Sequence, residues 1–78
     1  MASILVVAKN QGSASFDAIR ALGCAPEDTK FSAGADLSAR VPFTAEVLAK
    51  VQEWFDKGPT EAPFQSGDLL YWSVDREN

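Results

Sequence analysis

From Ile4 to Ala8 the chain is continuously apolar, and Ile4, Val6 and Val7 are β-branched, so Ser3 to Ala8 reads as a strand covered on both faces. A polar loop with one glycine, Lys9 to Ser15, follows. Ser15 is placed to cap a helix, Phe16, Ile19 and Leu22 recur at helical spacing, and Gly23 with Pro26 ends the element. From Thr29 to Val41 the period changes to two. Phe31 and Ala33 share one face, and Leu37, Ala39 and Val41 share one, with Ser38 and Arg40 opposite. Gly34 and Asp36 mark a turn, and a β-hairpin is expected. Its Ala, Ser and Gly content is poor strand material, so the rival is a smaller sheet with 29–41 mostly loop. Beyond Pro42, Thr44 is a good N-cap and Glu46 meets the positive end of the helix dipole. Val47, Leu48, Val51, Trp54 and Phe55 form an apolar stripe, and Glu46 with Lys50 and Glu53 with Lys57 are i,i+4 pairs on the wet side. Gly58 and Pro59 stop this helix. A loop through Pro63 and Phe64 reaches Gly67, and Leu69 to Val74 reads as the last strand.

The expected order is strand, helix, strand, strand, helix, strand in a single domain over 1–78. That is an α+β, ferredoxin-like (split βαβ) antiparallel sheet with two helices on one face. The first and last strands are its most apolar segments and are expected as an adjacent central pair. Both are apolar on both sides. Ile4 and Val6 oppose Leu5 and Val7, while Leu70, Trp72 and Val74 oppose Leu69 and Tyr71. Only one set can meet the helices. The other leaves an apolar patch on the open face, fit for a partner or a second copy of the chain, unless Phe64 folds back over it.

Composition is that of an ordinary globular domain, with 46% hydrophobic and 23% charged residues. At 78 residues the surface buried is modest, which leaves room for self-association. Eleven acids against seven bases give a net charge of -4. The bases Lys9, Arg20, Lys30, Arg40, Lys50, Lys57 and Arg76 are spread along the chain, which argues against direct nucleic-acid binding, since phosphate contacts need a clustered basic face. Glu61, Asp68, Asp75 and Glu77 load the last third and would steer the chain toward a basic partner. No apolar run approaches the roughly 20 residues of a membrane span, and the start lacks the basic region and apolar core of a signal peptide, so a cytoplasmic location is expected.

Chemistry finds little purchase. There is no His and one Cys. Cys24 has no base to activate it and is expected to pack. Glu27 and Asp28 are adjacent loop acids, and no spacing suits a metal or cofactor. A non-enzymatic binding module is therefore expected, an inhibitor or adaptor that docks on a basic partner. Such a partner could be a nucleic-acid-handling machine, as a phage or mobile-element product would target. The partner-binding residues expected are Trp54, Leu69 and Tyr71, with Asp68 and Asp75 as an acidic margin, and Phe55 is assigned to the core. The alternative is a small-ligand or nucleotide-binding domain that holds an anion at the strand-to-helix loop through Lys9, Gly12, Ser13 and Ser15. That loop lacks both the Walker spacing and the three glycines of a dinucleotide fingerprint.

Overall fold

The computed structural model describes residues 2–58, 64–65 and 67–76. Chain order is β1 (Ala2–Lys9), α1 (Ser13–Arg20), β2 (Lys30–Ala33), β3 (Asp36–Pro42), α2 (Ala45–Lys57) and β4 (Leu69–Arg76), with a 3-10 turn at Pro26–Asp28. Pro59, Glu61, Pro63 and Glu77 lie outside the described residues. The strands form one open sheet in the order β2-β3-β1-β4, with every neighbouring pair antiparallel. The hairpin expected over 29–41 is present as β2 and β3, with Lys30 opposite Arg40 and Ala33 opposite Leu37.

The core follows the period-two pattern of the strands. Ile4, Val6 and Ala8 of β1 and Leu37, Ala39 and Val41 of β3 are all buried, and they join Ala18, Ile19 and Leu22 with Val47, Val51 and Trp54 in a single cluster. Both helices thus share one side of the sheet. Phe16 of α1 meets Phe31 of β2 edge-on at 4.7 Å between centroids, and Phe55 of α2 lies 6.4 Å from Trp72 of β4. Removing the two methyls of Val51, which is fully buried, is expected to lower stability by about 2 kcal/mol. Chemical denaturation of Val51→Ala measures this, and a loss below about 0.5 kcal/mol would mean that the α2 stripe does not face packed core.

The local signals at helix ends hold unevenly. Thr44 caps α2 as expected, its Oγ1 accepting from the Val47 amide at 3.1 Å, and Thr44→Ala is expected to cost about 1 kcal/mol. Gly23, at φ +107°, supplies the left-handed residue after α1. Ser15, in contrast, is not a cap. Gly12 at φ +81° turns the chain into α1 at Ser13, so Ser15 falls inside the first turn. There it is fully buried, and its hydroxyl donates to the Gly12 carbonyl at 2.6 Å.

Two further expectations are corrected. The central strands are β1 and β3, and β4 is an edge. The small residues that made β3 look weak are what suit it to the middle: across the sheet Phe31, Ala39, Val6 and Trp72 stand in one row, and Ala39 leaves room for the helices above it. The second correction concerns Leu69. Val7 lies opposite Tyr71 but Ala8 lies opposite Leu69, so β4 carries one extra residue, Leu70, against β1. This bulge turns Leu69 to the helix side, where it packs against the core, and separates it from Tyr71.

Candidate functional site

The open face of the sheet is built from the residues that alternate with the core set. Leu5 and Val7 of β1 lie at its centre and are half-buried. Val7 is opposite Tyr71 and Leu5 opposite Ser73 on the β4 side, and on the β3 side they are opposite Ser38 and Arg40. Tyr71 is 54% exposed and Leu70, delivered beside it by the bulge, is 45% exposed. They are the exposed large hydrophobic residues among those described. Leu5, Val7 and Tyr71 therefore make an apolar strip toward the β4 edge, with Leu70 exposed next to Tyr71 at the bulge.

Of the apolar residues expected to bind a partner, Tyr71 is exposed on the open face, whereas Trp54 and Leu69 pack on the helix side. Trp54 is 2% exposed and sits in the core, with Phe64 edge-on at 5.8 Å, while Phe55 takes the more open position over Trp72. The assignment of these two neighbours is reversed because the stripe of α2 is centred on Val47, Val51 and Trp54, with Leu48 and Phe55 along its margin. Phe64 is 4% exposed within this helix-side core, so it does not cover the open face. Leu70 has no signal in the sequence as an exposed residue, because a single-residue bulge leaves no trace in an unbroken apolar run.

The two acids assigned to the margin of the face are both engaged within the chain. Asp75 accepts from Arg40 Nη1 at 2.6 Å, a bond that carries the guanidinium across β1 from β3 to β4. Both side chains are near half exposed, so the pair contributes at most about 1 kcal/mol and serves chiefly to hold Arg40 over the sheet. Asp68 sits at the other end of β4. Its Oδ2 accepts from the Gln65 amide at 2.9 Å and from Gln11 Nε2 at 3.3 Å, and its carbonyl accepts from the Lys9 amide at 2.8 Å. Among the described residues the other acids are Asp17, which pairs with Arg20, and Glu27, Asp28, Asp36, Glu46, Glu53 and Asp56.

The loop from Lys9 to Ser15 uses its own donors. The Asn10 amide donates to Ala35 at 3.3 Å, the Gln11 amide to Ser15 Oγ at 3.4 Å, the Gly12 amide to Asn10 Oδ1 at 2.9 Å and the Ser15 amide to Gly12 at 3.1 Å. Asn10 Nδ2 also donates to the Gly34 carbonyl at 3.0 Å, which ties the loop to the β2–β3 turn. An anion cradle needs backbone N–H groups that converge on open space. Here four of them are bonded within the protein, and the Asp68 carboxylate stands nearby. The Ser13 and Ala14 amides at the start of α1 and the Lys9 ammonium have no partner among the described residues.

No arrangement for covalent chemistry gathers among the described residues. Cys24 Sγ lies 3.0 Å from Thr29 Oγ1 beneath the end of α1. A groove of about 550 Å³ along the end of the sheet beside Pro42 and Phe43 has two hydroxyls. Ser3 Oγ accepts from Arg40 and Thr44 Oγ1 caps α2. Among the described residues no three His, Cys, Asp or Glu side chains group where they could hold a metal ion, and no helix is long and apolar enough to cross a membrane. Comparison with protein-family models, with curated proteins and with solved structures finds no match to the chain.

Proposed function

We propose that this chain is a non-enzymatic protein-binding module, an adaptor or inhibitor, whose docking surface is the open face of the sheet. The observation that carries the reading is the strip formed by Leu5, Val7 and Tyr71. It sets an exposed aromatic beside two half-buried aliphatic residues, with the exposed Leu70 next to Tyr71 in the chain. A large rigid aromatic with a polar tip, ringed by aliphatic area, is the kind of group that dominates binding energy in protein interfaces. The scaffold we propose is the ferredoxin-like, split βαβ arrangement. The order β2-β3-β1-β4 and the three antiparallel pairings support it, since each helix then connects strands that are not neighbours.

A basic surface on the partner is favoured by the net charge of -4 through long-range steering, and by that alone, because Asp68 and Asp75 are engaged inside the chain. Affinity purification with the wild-type chain, with Tyr71→Ala and with Gly12→Val as parallel baits tests the function. A protein retained by wild type and by Gly12→Val but lost from Tyr71→Ala supports the docking face. Retention by Tyr71→Ala with loss from folded Gly12→Val transfers the function to the loop of Lys9, Gly12, Ser13 and Ser15 and to a small-ligand reading.

A further inference from the structure

Beside the apolar strip, on the β2–β3 half of the same face, lies a shallow hollow of about 350 Å³ lined by Leu5, Lys30, Phe31, Ser32, Ser38 and Arg40. The strand register sets its composition. Lys30 is directly opposite Arg40, and Ser32 is directly opposite Ser38. The lining therefore offers two cations and two hydroxyls and no carboxylate, in a chain whose acids outnumber its bases eleven to seven. Among the described residues, neither the Lys30 ammonium nor the two serine hydroxyls has a hydrogen-bond or ion-pair partner. Arg40 uses Nη1 toward Asp75 and Ser3, and its other N–H groups have no partner among the described residues. Like charges directly opposite on neighbouring strands destabilise a sheet. The Arg40–Asp75 bond draws the guanidinium toward β4 and leaves Lys30 without an ion pair, while the Asp28 carboxylate belongs to the adjoining groove that Lys30 and Arg40 also border.

We propose that this hollow receives a side-chain carboxylate from an acidic segment of the protein partner, with the apolar neighbour of that acid resting on the adjoining strip of Leu5, Val7 and Tyr71. The proposal rests on the open face being the docking surface and gives that surface its specificity. The Lys30 ammonium, the Arg40 N–H groups not used by Asp75 and two hydroxyls match the acceptor oxygens of a carboxylate, and a residue two places along an extended segment lies about 7 Å away on the same side. Contact and long-range electrostatics then differ in sign. The net negative charge governs the approach of a partner, and the local cationic hollow selects the segment that seats.

The test is a titration of the isotope-labelled chain, followed by amide shifts, with a synthetic peptide of the repeat Glu-Ser-Leu-Ser, which sets glutamate and leucine two places apart on one side of an extended segment. The matched peptide with glutamine for glutamate and an oligothymidylate serve as the other probes. The glutamate peptide is expected to shift Leu5, Ser32, Ser38 and Arg40 and to bind at least about tenfold more tightly than the glutamine peptide, the equivalent of one charge-assisted hydrogen bond. Lys30→Glu should abolish that preference while melting no lower than wild type, because it replaces a like-charge pair by a Glu opposite Arg40. Lys30→Gln should lose the preference without adding a negative charge. If both peptides bind equally and Tyr71→Ala weakens both, the face docks partners but the carboxylate site is wrong. If neither peptide shifts the open face, both the site and the docking surface fail. Tighter binding of the oligothymidylate through the same residues would replace the carboxylate by phosphate and overturn the proposal.

Discussion

Trp54→Ala is expected to unfold the protein or bring it close to unfolding. Trp54 is 2% exposed, touches Phe64 edge-on and lies among Val47, Val51 and the sheet residues of the core. Truncating a buried aromatic costs about 3–5 kcal/mol through lost burial and the cavity left behind. A chain of this length has roughly 4–12 kcal/mol in total at about 0.05–0.15 kcal/mol per residue. The midpoint of thermal unfolding should fall by at least about 12 °C, followed by far-UV circular dichroism. Trp54→Phe keeps an aromatic ring against Phe64 and should lose less than half as much. If the alanine variant lost under about 1 kcal/mol, Trp54 would not be the centre of this core.

The second large effect separates binding from stability. Tyr71→Ala should weaken partner binding about fivefold or more, on the order of 1 kcal/mol or above, while the stability of the free chain changes by less than about 0.5 kcal/mol. The reason is position: Tyr71 is 54% exposed on the open face of an edge strand, so the free protein gains little from its ring and a docked partner gains much. Surface plasmon resonance on the retained protein, paired with denaturation of the free chain, reads both quantities. Phe55→Ala supplies the opposite pattern, since that ring packs on Trp72 at the helix side. It should lower stability and leave affinity for the open face unchanged. Equal affinity for wild type and Tyr71→Ala would remove Tyr71 as an anchor.

How far the sequence speaks depends on whether a feature is local. Strand β1, the α2 cap at Thr44, the stop at Gly23 and the hairpin are each set by a few neighbouring residues, and they stand in the structure as the pattern implied. Alternation grouped Tyr71 apart from Trp72 but left open which of the two sets faces out. Features that depend on distant pairing were not legible. The central place of β3 arises from the fit of Ala39 between Val6 and Phe31, and the separate fates of Leu69 and Leu70 come from one extra residue against β1. Trp54 and Phe55 were ranked by type, yet the axis of the α2 stripe decides which goes in. The hollow of Lys30, Ser32, Ser38 and Arg40 joins hydrophilic residues of two strands that each alternate with apolar ones. Only their register shows that the two bases and two hydroxyls share one side.

Methyl cross-saturation from the protein retained by the wild-type chain tests the docking face most directly, because leucine and valine methyls report from both sides of the sheet. The open-face reading predicts attenuation of the Leu5, Val7 and Leu70 signals, with Leu22, Leu48 and Val51 on the helix side unaffected. Attenuation at Leu48 without any at Leu5, Val7 or Leu70 would contradict it and move the interface to the helices.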